Sequence, residues 1–172
     1  MRLNRGSDAT TGRVLVVADW RTDPEAIVAA CVGRQERSGG DFALLVPARL
    51  HGLDWVGDPA ASLPCAYRQL ATLAHMADSV GFAFHAAGVG DPDPVAAICD
   101  ALHEWAADEI LLCTRGRRTA VSHPLDLAHR TRRTTGLPVS LARLRANTVR
   151  PAGQRWLPLR SGRCAIEQPH PA

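Results

Sequence analysis

The sequence contains no lysine; all twenty of its basic residues are arginine. That bias fits a GC-rich coding sequence and by itself assigns no function. No apolar run approaches the roughly 18–20 residues of a membrane span, so no membrane partner is expected. No apolar stretch precedes Val14, so residues 1–12 read as a short flexible leader and not as a secretory signal. None of the five cysteines, Cys31, Cys65, Cys99, Cys113 and Cys164, sits in a Cys-x-x-Cys pair, and an odd number cannot all pair internally. A cytoplasmic protein with reduced thiols, no structural disulfide and no metal site is expected. The seven histidines are scattered without metal-ligand spacing. There is no Gly-x-Ser-x-Gly elbow and no pair of carboxylates placed for acid–base work, so an enzyme is not expected. Aromatic residues make up only 5% of the chain and do not interleave with its basic clusters, which argues against a nucleic-acid partner.

What remains is a chain of 172 residues, 46% of them hydrophobic, enough for one domain with a substantial core. Its charge is unevenly placed. Residues 143–172 hold six arginines and one acid, a net +5, which leaves −2 of the overall +3 for residues 1–142. Residues 13–145 carry the periodic apolar pattern of a folded domain. Residues 146–172 are rich in proline, glycine and arginine without periodicity and read as a disordered tail.

Within the domain, strands and helices alternate. Val14 to Ala18 form a continuous apolar run ending at Asp19, as suits a strand buried on both faces. Thr22 or Asp23 can cap a helix that Pro24 opens and Ser38-Gly39-Gly40 closes. Phe42 to Val46 make a second strand, stopped by Pro47. Leu63, Ala66, Leu70, Leu73, Ala77 and Val80 mark a long amphipathic helix. Phe82 to Ala87, with His85 inside it, reads as the third strand, followed by a loop from Gly88 to Pro92. Asp93-Pro94 repeats the cap-and-proline start. Glu109 to Thr114 form a fourth strand, a helix runs from about His123 to Thr135, and Pro138 to Ala142 form a short fifth strand. The expected fold is an α/β domain with an open five-stranded parallel sheet in the order 3-2-1-4-5 and helices on both faces.

Such sheets bind ligands at the carboxyl ends of their strands. The candidate ligand-binding residues are therefore Asp19, Val46, Gly90, Asp91, Thr114, Arg115, Gly116, Arg117 and Arg118. Asp19 could take a hydrogen bond from an adenine amine or a ribose hydroxyl, although in isolation a helix-capping or surface acid is the better reading. Gly88-x-Gly90 lacks the third glycine of a dinucleotide fingerprint and follows the wrong strand. Arg115, Arg117, Arg118, Arg130, Arg132 and Arg133, against Asp126 alone, give residues 115–133 a local charge of +5. A phosphate could bind there, or the arginines could form a solvated basic face.

Several short stretches occur in one order: Val14-Leu15-Val16-Val17-Ala18-Asp19, Gly90-Asp91-Pro92, Ala97-Ile98, Ala107-Asp108-Glu109-Ile110-Leu111 and Leu137-Pro138-Val139. In this order and spacing the chain resembles the universal stress protein family. The resemblance implies the fold above and a homodimer formed through the last strand. The family's ATP-binding members carry Gly-x2-Gly-x9-Gly-Ser/Thr after the fourth strand. The corresponding positions here are Cys113, Gly116, Asp126 and Leu127, so only Gly116 matches. A carboxylate replaces backbone that should meet phosphate, and leucine offers no hydroxyl. The resemblance thus implies the fold, while the residues argue against ATP as a cofactor.

Three readings follow. The first is a non-catalytic regulatory or ligand-binding protein with a non-functional ATP site and an unidentified protein partner. The second is a protein that binds an adenine nucleotide or another phosphorylated small molecule, with Arg115, Arg117 or Arg118 in place of the glycine loop. The third, ranked last, is an enzyme of the adenine-nucleotide-binding α/β group.

Overall fold

A computed structural model describes residues 12–20, 22–48, 63–113, 124–142 and 144, with the backbone alone for 124–126. The expected leader, apart from Gly12, and the expected tail at 146–172 lie outside the described residues.

The described elements are β1 (Arg13–Ala18), α1 (Pro24–Ser38), β2 (Asp41–Pro47), α2 (Leu63–Ser79), β3 (Ala86–Gly90), α3 (Pro94–Glu104), β4 (Glu109–Cys113), α4 (Pro124–Thr135) and β5 (Val139–Leu141). The strands pair in the order β3-β2-β1-β4-β5, and every pair is parallel. This is the expected topology. β1 lies at its centre because its apolar run has no polar face to give to water; Val14 to Ala18 are all buried.

Alternate β1 residues divide the core in two. Val14, Val16 and Ala18 face α1 and α2, where Ile27, Cys31, Ala66 and Leu73 cover them. Leu15 and Val17 face α3 and α4, where Ala97, Ile98 and Ala128 do the same. Each fully buried Leu, Ile or Val side chain is worth roughly 1.5–3 kcal/mol, so both helix pairs are held chiefly by this burial.

The helix ends follow local chemistry. The Asp23 carboxylate accepts from the Glu25 N–H at 3.2 Å and caps α1, so Asp23 is the cap and Thr22 is left for another task. Gly39, at φ 65°, ends the helix in the left-handed region that a side chain would disfavour. Asp93 caps α3 with Pro94 behind it, as expected.

The third strand is displaced from its expected position. Residues 82–84 are not a strand; pairing with β2 starts at Ala86 and runs through Gly90, so Gly88 to Gly90 are strand and not loop. Phe82 instead packs edge-on against Phe42 and Phe84, with both ring centroids 5.1 Å away. The small residues follow where α3 comes close: a Cβ at Gly90 would lie 2.7 Å from the Ala97 Cβ. His85 is likewise not a strand or core residue. Its ring is exposed and faces the Asp41 carboxylate at 3.1 Å. Among the described residues no helix is long and apolar enough to cross a membrane.

Candidate functional site

One helix pair covers each face of the sheet and the strand order reverses between β1 and β4, which makes the carboxyl ends of these two strands the switch point, where such sheets bind ligands. Asp19 follows the end of β1 there and is half-buried. Its N–H donates to the Cys113 carbonyl at 3.3 Å, tying the end of β1 to the end of β4. Its carbonyl accepts from the Thr22 N–H at 2.8 Å and closes a tight turn into α1.

Two buried polar side chains hold that turn. The Thr22 hydroxyl donates to the Cys113 carbonyl at 3.4 Å, and the Gln69 amide, reaching over from α2, donates to the Thr22 carbonyl at 2.9 Å. Both residues are less than one-tenth exposed. A buried carbonyl without a partner is costly, so this network fixes the backbone under Asp19. Neither residue was among the candidates read from the sequence. Gln69 could have been found: it lies three positions after Ala66 on the buried stripe of α2, where a polar side chain needs a partner.

The other candidates divide. Val46 is fully buried among the α1 and α2 contacts and shapes the floor below the strand ends. Gly90 and Asp91 stand two strands from β1, away from the switch point. The Gly90 carbonyl accepts from the Ala48 N–H at 3.0 Å, and the absence of a Cβ lets α3 approach. Asp91 is exposed, and its carboxylate accepts from the Asp93 N–H at 2.7 Å, which shapes the turn into α3. Thr114, Arg115, Gly116, Arg117 and Arg118 lie outside the described residues, as do the side chains of residues 124–126.

Two positions compared with the family's glycine pattern are described. Cys113, at the first glycine position, is fully buried and its side chain joins the α1 and α2 core. Burial, with a further push from Cys31, drives its pKa well up; burial alone pushes Cys31 to about 12. Burial thus favours the protonated form of both thiols. Leu127 packs against the core of the α3 and α4 face, a packing role and not a ligand contact. Among the described residues no cluster of three or more His, Cys, Asp or Glu could hold a metal.

No protein-family model matches the chain, and no curated relative matches its sequence. Solved structures do match it. A universal stress family protein from Burkholderia pseudomallei shares 17% identity at a TM-score of 0.54, over 79% of this chain and 97% of that one. The fold is the universal stress protein fold. A universal stress protein in complex with cAMP matches at 15% identity and TM-score 0.52, covering 78% of this chain and 99% of its own. The Archaeoglobus fulgidus universal stress protein in complex with dAMP matches at 14% and 0.52, covering 76% and 96%. These universal-stress structures share the architecture; at such identities they assign no site residue here.

Proposed function

We propose that this chain is a non-catalytic regulatory protein whose switch-point crevice takes an adenine nucleoside monophosphate in preference to ATP. The observation that carries this reading is the buried Thr22–Gln69–Cys113 network, which presets the backbone beneath Asp19. A preset site loses little ordering entropy when its ligand arrives. Asp19 reads the adenine amine or a ribose hydroxyl. The phosphate meets Arg115, Arg117 or Arg118, which supply charge where the family uses glycine backbone. Two proteins of the same fold are complexed with adenosine monophosphates, cAMP and dAMP. A triphosphate would also need the far half of the glycine pattern. There this chain has Asp126 and Leu127, and Leu127 is committed to the core. Two like charges about 4 Å apart repel by roughly 4 kcal/mol at an effective dielectric of 20, enough to disfavour the outer phosphates at Asp126.

Isothermal titration with AMP and with ATP plus magnesium tests this. AMP should bind at least about tenfold more tightly, and the Arg117→Ala, Arg118→Ala double variant should lose that binding. Equal or tighter binding of ATP contradicts the preference, and turnover of either nucleotide contradicts the non-catalytic role.

The protein acts as a homodimer through β5. That strand is an edge of the described sheet, and Leu141 on it is 37% exposed, an apolar edge of the kind that pairs with another chain. Sedimentation should show a dimer at micromolar concentration that Leu141→Arg converts to monomer.

A further inference from the structure

On the face of α3 and α4, the far edge of the sheet is incompletely covered. A groove of about 290 Å³ runs between β3 and α3. Leu15, Leu45, Ala97 and Trp105 make it apolar, and one wall is acidic, from Asp100 and Glu104, which lie one turn apart on α3. Among the described residues no basic side chain lines it. Its floor is open because β3 is built from alanine and glycine: a Cβ at Gly88 would meet no atom within 4 Å. The volume suits one large side chain with its neighbours, being at or below the small end of small-molecule pockets at ~300 Å³.

The chain itself contains a matching segment. Residues 145–172 hold a single Trp, Tyr or Phe, Trp156, within Arg155-Trp156-Leu157-Pro158-Leu159-Arg160. The apolar cluster fits the groove, and the two flanking arginines complement its acidic wall. Reach is sufficient. Leu144 packs against the α1 and α2 face beyond β5. β3 is four strand spacings from β5, about 19 Å, and passing over the carboxyl ends of the strands to the other face adds roughly one 10 Å layer. The ten residues between Leu144 and Arg155 can span about 33 Å when extended.

We propose that Arg155–Arg160 of this chain occupies the groove between β3 and α3, with Trp156 over Gly88 and the arginines against Asp100 and Glu104. The groove opens on the α3 and α4 face and its lining includes none of Asp19, Thr22, Gln69 and Cys113, so the proposal does not rest on the nucleotide reading.

The test is a trypsin time course on the full chain, following cleavage after Arg155 and Arg160 by mass spectrometry, with two variants beside it. Gly88→Ile adds bulk to the floor at a position where a Cβ meets no atom within 4 Å, and the Asp100→Arg, Glu104→Arg double variant reverses the wall on two exposed side chains. Thermal unfolding verifies that both variants fold. Cleavage tracks the undocked population, so each variant should accelerate it roughly fivefold or more. Equal rates in all three proteins overturn the proposal. Protection that neither variant removes places the segment elsewhere and also overturns it. Protection that grows with protein concentration identifies a second copy as the acceptor and overturns docking within one chain.

Discussion

The Gln69 side-chain amide donates to the Thr22 carbonyl at 2.9 Å, across 47 residues of sequence. Through this bond α2 holds the turn that follows β1 and keeps Asp19 at the mouth of the crevice. Replacing Gln69 by leucine keeps most of the side-chain volume and removes the donor. The buried carbonyl then loses its side-chain partner, at a cost of about 1–3 kcal/mol. The urea midpoint of Gln69→Leu should fall, and AMP binding should weaken with it. An unchanged midpoint would show that the bond does not hold the turn.

Two glycines on β3 should respond in opposite ways to the same substitution. At Gly90 a methyl group would meet the Ala97 Cβ at 2.7 Å and the Leu45 Cδ1 at 2.9 Å, so strand and helix must separate. Gly90→Ala should cost about 1–3 kcal/mol as an overpacked site. At Gly88 nothing lies within 4 Å, and the backbone is outside the left-handed region. Gly88→Ala should be neutral, or stabilise by roughly 0.5 kcal/mol through the unfolded chain. Chemical denaturation of the two variants side by side checks the contrast, and equal effects would refute it.

The same stretch shows what could and could not be read from the sequence. β1, β2 and β4 were legible because a strand covered on both faces is a continuous apolar run, and α1 and α3 because Asp-Pro marks their starts. β3 was misplaced because Phe82 and Phe84 have strand propensity and Ala86 to Gly90 do not. Tertiary packing reversed that preference: the rings fill the core beside Phe42, and the glycines admit α3. Asp19 could be found because it ends the central strand. The buried stripe of α2 marks Gln69 as a polar side chain in need of a partner, but its partner, Thr22, lies on a distant element that no local pattern encodes.

At the opposite end of the sheet, Glu109 joins three elements. Its carboxylate pairs with Arg34 of α1 at 2.7 Å and accepts from the Ser140 hydroxyl of β5 at 2.7 Å. Burial opposes its ionisation, but the Arg34 and Ser140 hydrogen bonds and the Arg34 charge outweigh that and hold its pKa below the usual value of 4.5. A folded pKa below the unfolded one stabilises the protein above about pH 4.5, and this contribution is lost as pH falls through the folded value. Glu109→Gln should therefore cost roughly 1 kcal/mol at neutral pH and almost nothing in strong acid, flattening the acid limb of the stability curve. A constant difference across pH would contradict the assignment.

The central claim is that a nucleoside monophosphate sits at the carboxyl ends of β1 and β4. Titrating the isotopically labelled protein with AMP, while following backbone amide resonances, tests it most directly. The account predicts saturable shifts at Asp19, Thr22 and Cys113, with β3 and α3 unmoved. Shifts confined to the groove between β3 and α3, or no saturable shift at all, would contradict it.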